Sequence, residues 1–139
     1  MKVLIIEDST GDAFLIERLI KRACLDLTLS VIDRVSSVDE AFKMILETDR
    51  DYGLITLDDN LDHNCSGMKF LHELAYAHKL DSKYFGKIIW ISDDDIFFHY
   101  CNERGIATFH KELLIADDRD VKFKPLVKKI VALHCVWTN

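Results

Sequence analysis

Leu54-Ile55-Thr56-Leu57-Asp58-Asp59 is a short, nearly apolar run that stops abruptly at two acids. The pattern recurs: Val3-Leu4-Ile5-Ile6 is followed by Glu7-Asp8, and Ile88-Ile89-Trp90-Ile91-Ser92 by Asp93-Asp94-Asp95. Apolar runs of this length, separated by helical patterns, read as parallel strands buried on both faces. In an open parallel sheet, ligands bind in the crevice beyond the carboxyl ends of the strands. The seven acids at these three ends therefore converge. Converging carboxylates repel unless a cation sits among them or some retain protons. An all-oxygen cluster suits a hard divalent ion, Mg²⁺ first.

The rest of the chain alternates helix and strand signals. Phe14, Leu15, Leu19, Ile20 and Ala23 have helical spacing after a cap expected at Asp12. Leu29 to Val35 reads as a more polar strand nearer an edge, and Ser37-Val38-Asp39-Glu40 has capping-box spacing ahead of Ala41, Phe42, Ile45 and Leu46. A polar loop is expected from Asn60 to Ser66, then a helix from Gly67 carrying Met68, Phe70, Leu71, Leu74 and Ala75. Asp81 to Gly86 reads as a turn. Asp93-Asp94-Asp95 is expected to open a helix with Ile96, Phe97, Tyr100 and Cys101 on its core face, closed by Arg104-Gly105. A fifth strand, Ile106 to Phe109, leads to Lys111, and Pro125 suits the first turn of a last helix with Leu126, Val127, Ile130, Val131 and Leu133. The fold class is α/β, a single doubly wound (βα)₅ domain over residues 1–139 with a five-stranded parallel sheet.

Composition narrows the function. A length of 139 residues with 49% hydrophobic and 30% charged residues suits one globular domain rather than a disordered chain. No apolar stretch is long enough to span a bilayer and no secretion-signal pattern is present, so a cytoplasmic protein without membrane contact is expected. The net charge of −6, without a basic stripe, argues against direct nucleic-acid binding. Cys24, Cys65, Cys101 and Cys135 are scattered and read as reduced thiols, three of them buried on helices. No Gly-x-Ser-x-Gly elbow, phosphate-cradling glycine loop or dinucleotide fingerprint occurs, and Asp58-Asp59-Asn60 lacks the Asp-x-Asp of an aspartate-nucleophile phosphatase.

The ends of the strands carry a chemically coherent set: Glu7 and Asp8, Asp58, Ser92 and Lys111. Carboxylates can hold Mg²⁺, one of them can also attack phosphorus, and a hydroxyl and an ammonium can bind the phosphoryl oxygens where charge must be stabilised. Across Val3 to Ser9, Leu54 to Leu61, Gly67, Ile91-Ser92 and Lys111, the chain resembles the response-regulator receiver domain of two-component signalling. The resemblance implies the flavodoxin-like receiver fold, with Glu7, Asp8 and Asp58 as metal ligands together with the backbone carbonyl of Asn60. It also implies Asp58 as phosphoacceptor, Ser92 as switch hydroxyl and Lys111 as the phosphate-pairing lysine. Asp59 is the rival acceptor, because the spacing to Gly67 fits better from it. The pattern Asp58-x-Asn60-Leu61 fits from Asp58, which is assigned with a one-residue insertion in the loop.

Three departures from the family pattern stand out. Besides its extra residue, the loop has Asp62 where a proline is usual. Asp93 follows Ser92 where a small residue is preferred, so it either narrows access to the acceptor or faces outward as a helix cap. Lys111 is followed by Glu112 rather than proline, so the next loop either takes another path or holds strain. The switch aromatic expected three before the lysine is displaced to Phe109, where it reads as core.

The resulting expectation is a stand-alone receiver without an output domain, not a conventional enzyme. It would accept a phosphoryl group from phosphohistidine of a histidine kinase or histidine phosphotransfer protein, with Mg²⁺. It would then act on a downstream protein, either by docking through the face of the fourth helix, fifth strand and fifth helix or by passing the phosphoryl group onward, with a homodimer through that face left open. Phe98, Tyr100 and Trp137 are candidates on that surface. The alternative is a phosphorylation-independent pseudo-receiver adaptor.

Overall fold

The computed structural model describes residues 1–25, 31–47, 51–62 and 65–138, without the side chains of Asp62, Cys65 and residues 133–138. The apolar runs are strands. We number them β1 (Lys2–Ile6), β2 (Val31–Val35), β3 (Tyr52–Asp58), β4 (Ile88–Ser92) and β5 (Ala107–His110). All four pairings are parallel, and the order is 2-1-3-4-5. The more polar β2 is an edge, as its sequence implied, whereas every residue of β3 and β4 is buried. The topological switch lies between β1 and β3, so ligands belong beyond the carboxyl ends of those two strands.

Helices α1 (Thr10–Ala23) and α5 (Arg119–Thr138) cover one face, where Ile16, Leu19, Ile20, Phe123 and Val127 pack against alternate sheet residues such as Ile5, Leu54 and Ile91. Helices α2 (Val38–Glu47), α3 (Gly67–His72) and α4 (Phe98–Glu103) cover the other, where Leu4, Ile55, Leu57 and Trp90 meet Phe42, Phe70 and Leu71. Each fully buried aliphatic side chain contributes about 1.5–3 kcal/mol relative to exposure.

Several expectations are corrected. Ser9, not Asp12, caps α1: its Oγ accepts the Asp12 N–H at 3.3 Å. The Asn60–Ser66 segment is not a plain loop, because Asn60–Asp62 pairs antiparallel with Cys65–Ser66. Asp81–Tyr84 is a short helix that buries Tyr84, and α3 continues through a π turn at Glu73–Ala77. The last helix starts before its proline, leaving Pro125 in its interior. The carbonyl without a proline donor belongs to Val121, a residue 72% exposed, where water can replace the missing bond.

The largest departure is at the start of α4. Asp93-Asp94-Asp95 does not open this helix, and Ile96 is 71% exposed rather than core. Asp94 N–H donates to Ser92 Oγ at 3.3 Å, and Ile96 N–H donates to Asp94 Oδ1 at 3.1 Å. These local side-chain bonds satisfy backbone donors in a turn and compete with helix formation. Arg104-Gly105 closes α4 as expected, with Gly105 at φ 75°. Cys24 and Cys101 are buried free thiols, whereas the side chains of Cys65, Cys135, Leu133 and Trp137 and the backbone of Leu29 lie outside the described residues. Fifth-strand pairing runs one residue later than read, to His110.

Gly67, at the base of α3, is fixed by close approach rather than by φ. A Cβ there would lie 2.7 Å from the Asp58 carbonyl oxygen and 2.9 Å from the Trp90 ring. Gly67→Ala is expected to destabilise the fold by about 2 kcal/mol, overriding the better helix propensity of alanine. Urea unfolding of both proteins checks this; equal or greater stability of the variant contradicts it.

Candidate functional site

The site forms where β1, β3 and β5 end. Alternation along each strand puts Glu7 and Asp58 on the α1/α5 side of the sheet, in line with Ile5 and Thr56. Both are buried, at 4% and 2% exposure, while Asp8 is exposed at the mouth. Glu7, Asp8 and Asp58 each offer a carboxylate oxygen within 4.8 Å of the others. Ser9 N–H donates to Glu7 Oε1 at 3.1 Å, so the turn that caps α1 also orients Glu7.

Lys111 enters from the residue after β5. Its Nζ lies 3.3 Å from Asp58 Oδ1, 3.5 Å from Glu7 Oε1 and 3.3 Å from Asp12 Oδ2. These carboxylates hold the ammonium charged, raising its proton affinity against the opposing effect of burial. Lys111–Glu112 is a trans peptide, and the chain continues as a 3₁₀ turn, Lys111–Ile115, that buries Leu114. This is the alternative path that the missing proline required.

One lysine does not neutralise the cluster. Burial, then the charge of Asp58, pushes the Glu7 carboxyl up from 4.5 to about 8. Burial also raises Asp58, although Lys111 and the Asn60 backbone oppose it. Among the described residues, neither Glu7 Oε2 nor Asp58 Oδ2 has a hydrogen-bond partner, and both are buried. Two orphaned carboxylate oxygens beside a third, exposed carboxylate are the donor set that a hard divalent cation completes. The residues fit Mg²⁺.

Asp59 and Ser92 lie on the opposite side of the sheet from this cluster. Asp58 is in register with Ile91, so the next residues along, Asp59 and Ser92, are neighbours. Ser92 Oγ donates to Asp59 Oδ2 at 3.5 Å, with both residues buried. Burial raises the Asp59 carboxyl, and Asp94 and Asp93 raise it further. Asp93 itself is exposed and does not cap α4, which starts at Phe98. Asn60, in the short hairpin, is exposed. Phe109 is core, packed edge-on against Phe123 at 5.2 Å between ring centroids. Two participants were missed in sequence: Asp12, read only as a cap, and the Asp59–Ser92 pair. Strand alternation together with the Asp58–Ile91 register would have found the latter.

No family sequence model matches the chain, and no curated protein matches it in sequence. Solved structures do match in backbone. A response regulator receiver domain from Rhodospirillum rubrum superposes with TM-score 0.65 at 20% identity over 91% of each chain. The N-terminal domain of a response regulator/sensory box/GGDEF 3-domain protein from Carboxydothermus hydrogenoformans gives 0.67 at 12% identity over 100% of both. The Mn²⁺-bound form of response regulator Rcp1 gives 0.64 at 16% identity over 90% of each. The chain has the receiver fold. Its acidic cluster, Glu7, Asp8 and Asp58, stands at the carboxyl edge of that fold and could hold a metal.

The raised Glu7 carboxyl carries a signed consequence. A carboxyl that binds its proton more tightly folded than unfolded favours the fold while both states are protonated, and this contribution is lost as pH rises through the folded value. In chelator, stability is therefore expected to fall between about pH 4.5 and 8. Glu7→Gln should flatten this decline and be the more stable protein at pH 8. Denaturant midpoints of both proteins across that range check it; parallel pH profiles contradict it.

Proposed function

We propose that residues 1–139 act as a receiver domain that accepts a phosphoryl group on Asp58 from phosphohistidine of a histidine kinase or phosphotransfer protein. The observation that carries this is the buried Asp58 carboxylate, joined to the Lys111 ammonium at 3.3 Å and grouped with Glu7 and Asp8. An Asp58 carboxylate oxygen attacks phosphorus in line, the phosphorus–nitrogen bond breaks, and its electron pair stays on the donor imidazole. Glu7, Asp8, Asp58 and the Asn60 carbonyl would hold Mg²⁺, which supplies positive charge that screens the phosphoryl oxygens. Lys111 pairs with one of those oxygens, and Ser92 turns its hydroxyl to another. Differential contact with these two side chains shifts the population of the α4–β5–α5 face.

A downstream protein would read that face, where Phe98 and Tyr100 are half-buried. Phe98 meets His110 edge-on at 6.3 Å, which links α4 to the strand end beside Lys111. No helix among the described residues is long and apolar enough to cross a membrane. The grouping of Glu7, Asp8, Asp58 and Lys111 favours active phosphoacceptance over the phosphorylation-independent adaptor.

Intact-mass analysis after incubation with acetyl phosphate and Mg²⁺ tests the reading. One phosphoryl group is expected on the wild type and on Asp59→Asn, and none on Asp58→Asn. Loss with Asp59→Asn alone transfers the acceptor role to Asp59. No adduct on any protein, together with no Mg²⁺ binding, makes the adaptor the better account.

A further inference from the structure

Ser92 Oγ has two hydrogen bonds among the described residues, to Asp59 and to Asp94, and neither faces the Glu7–Asp58–Lys111 cluster. It donates to Asp59 Oδ2 at 3.5 Å and accepts the Asp94 N–H at 3.3 Å. The Asp59 backbone is held on both sides: its N–H donates to the Ile91 carbonyl at 3.2 Å, and its carbonyl accepts the Gly67 N–H at 2.8 Å. With Asp59 8% and Ser92 1% exposed, water competes poorly for either side chain. The pair is a fixed acceptor beside a hydroxyl that can rotate.

We propose that Asp59 is a positioning residue that holds the Ser92 hydroxyl away from Asp58, so that a phosphoryl group on Asp58 must compete with Asp59 for it. The inference rests on the reading of Asp58 as the phosphoryl-bearing residue. A serine hydroxyl has one proton to donate. Given to Asp59, it is withheld from a phosphoryl oxygen; given to the phosphoryl oxygen, it leaves Asp59. Ser92 Oγ also accepts the Asp94 N–H, and Asp94 Oδ1 in turn accepts the Ile96 N–H at 3.1 Å. Drawing Ser92 away therefore removes an anchor from the turn that leads into α4. The resting arrangement and the turn are stabilised by the same hydroxyl.

Beryllofluoride with Mg²⁺ mimics a phosphoryl group without covalent transfer, and its affinity reads the competition directly. Asp59→Leu, which removes the acceptor, is expected to bind it about fivefold more tightly than wild type, the fold-change of one ordinary hydrogen bond. In a Ser92→Ala background the same substitution should leave the affinity unchanged, because Asp59 then has no hydroxyl to hold. Asp59→Asn guards against misfolding of the leucine variant. Its weaker acceptor should give about a twofold gain, with the same dependence on Ser92. Equal tightening in both backgrounds overturns the proposal, since it would mark charge repulsion by Asp59 instead. Unchanged or weaker binding by the folded Asp59 variants also overturns it while leaving Asp58 as acceptor. Binding by none of the folded proteins removes the proposed function and this inference together.

Discussion

The ammonium of Lys111 among Glu7, Asp12 and Asp58 is the interaction on which the site's architecture depends. It ties together the ends of β1, β3 and β5 and the first turn of α1. Without a cation at that point, two buried carboxylates would face each other across a desolvated gap. The protein tolerates them because Lys111 supplies one positive charge and because Glu7 holds its proton up to about pH 8. A divalent ion would change this balance by favouring the ionised carboxylates. The site is thus a lysine-centred ion cluster whose carboxylates retain oxygen donors for a cation.

Strand alternation divides the remaining chemistry. Consecutive strand residues point to opposite faces, so the acids Asp58 and Asp59 serve different surroundings although they are adjacent in the chain. Asp58 joins Glu7 and Lys111 over the α1/α5 core. Asp59 joins Ser92 and the Asp93–Asp94 turn over the α3/α4 core. Cys101 lies on that second side, and burial, with the Asp59 charge next, pushes its thiol up to about 12, an inert packing residue rather than a nucleophile.

The parts legible in sequence were those set by burial and period. β1, β3 and β4 were readable because continuous apolar runs leave no other placement, and the position of Asp58 at the end of β3 followed from where apolarity stops. Glu7, Asp8 and Asp58 could be grouped because parallel sheets gather their carboxyl ends. The start of α4 was not legible. Acids at Asp93 to Asp95 suit a helix N-terminus by charge, but Asp94 and Ser92 use their side chains to satisfy backbone donors in a turn instead. The N-cap of α1 was misread for a related reason: Ser9 and Asp12 are both good caps, and their ranking depends on geometry that propensity does not contain. Lys111's contact with Asp12 is long-range and leaves no local signature.

An acid directly after Asp58 has consequences in such a fold. Asp59's backbone bonds to Ile91 and Gly67 fix its place, and the Asp58–Ile91 register fixes Ser92 as its neighbour. Gly67 has no room to yield, because even a methyl group there would meet the Asp58 carbonyl. An acceptor at this position must therefore meet whatever donor β4 ends with, and here that donor is the Ser92 hydroxyl. The same alternation that keeps the charge of Asp59 away from Glu7 and Lys111 delivers it to Ser92. The two acids thus have different partners, Asp58 the Lys111 ammonium and Asp59 the Ser92 hydroxyl.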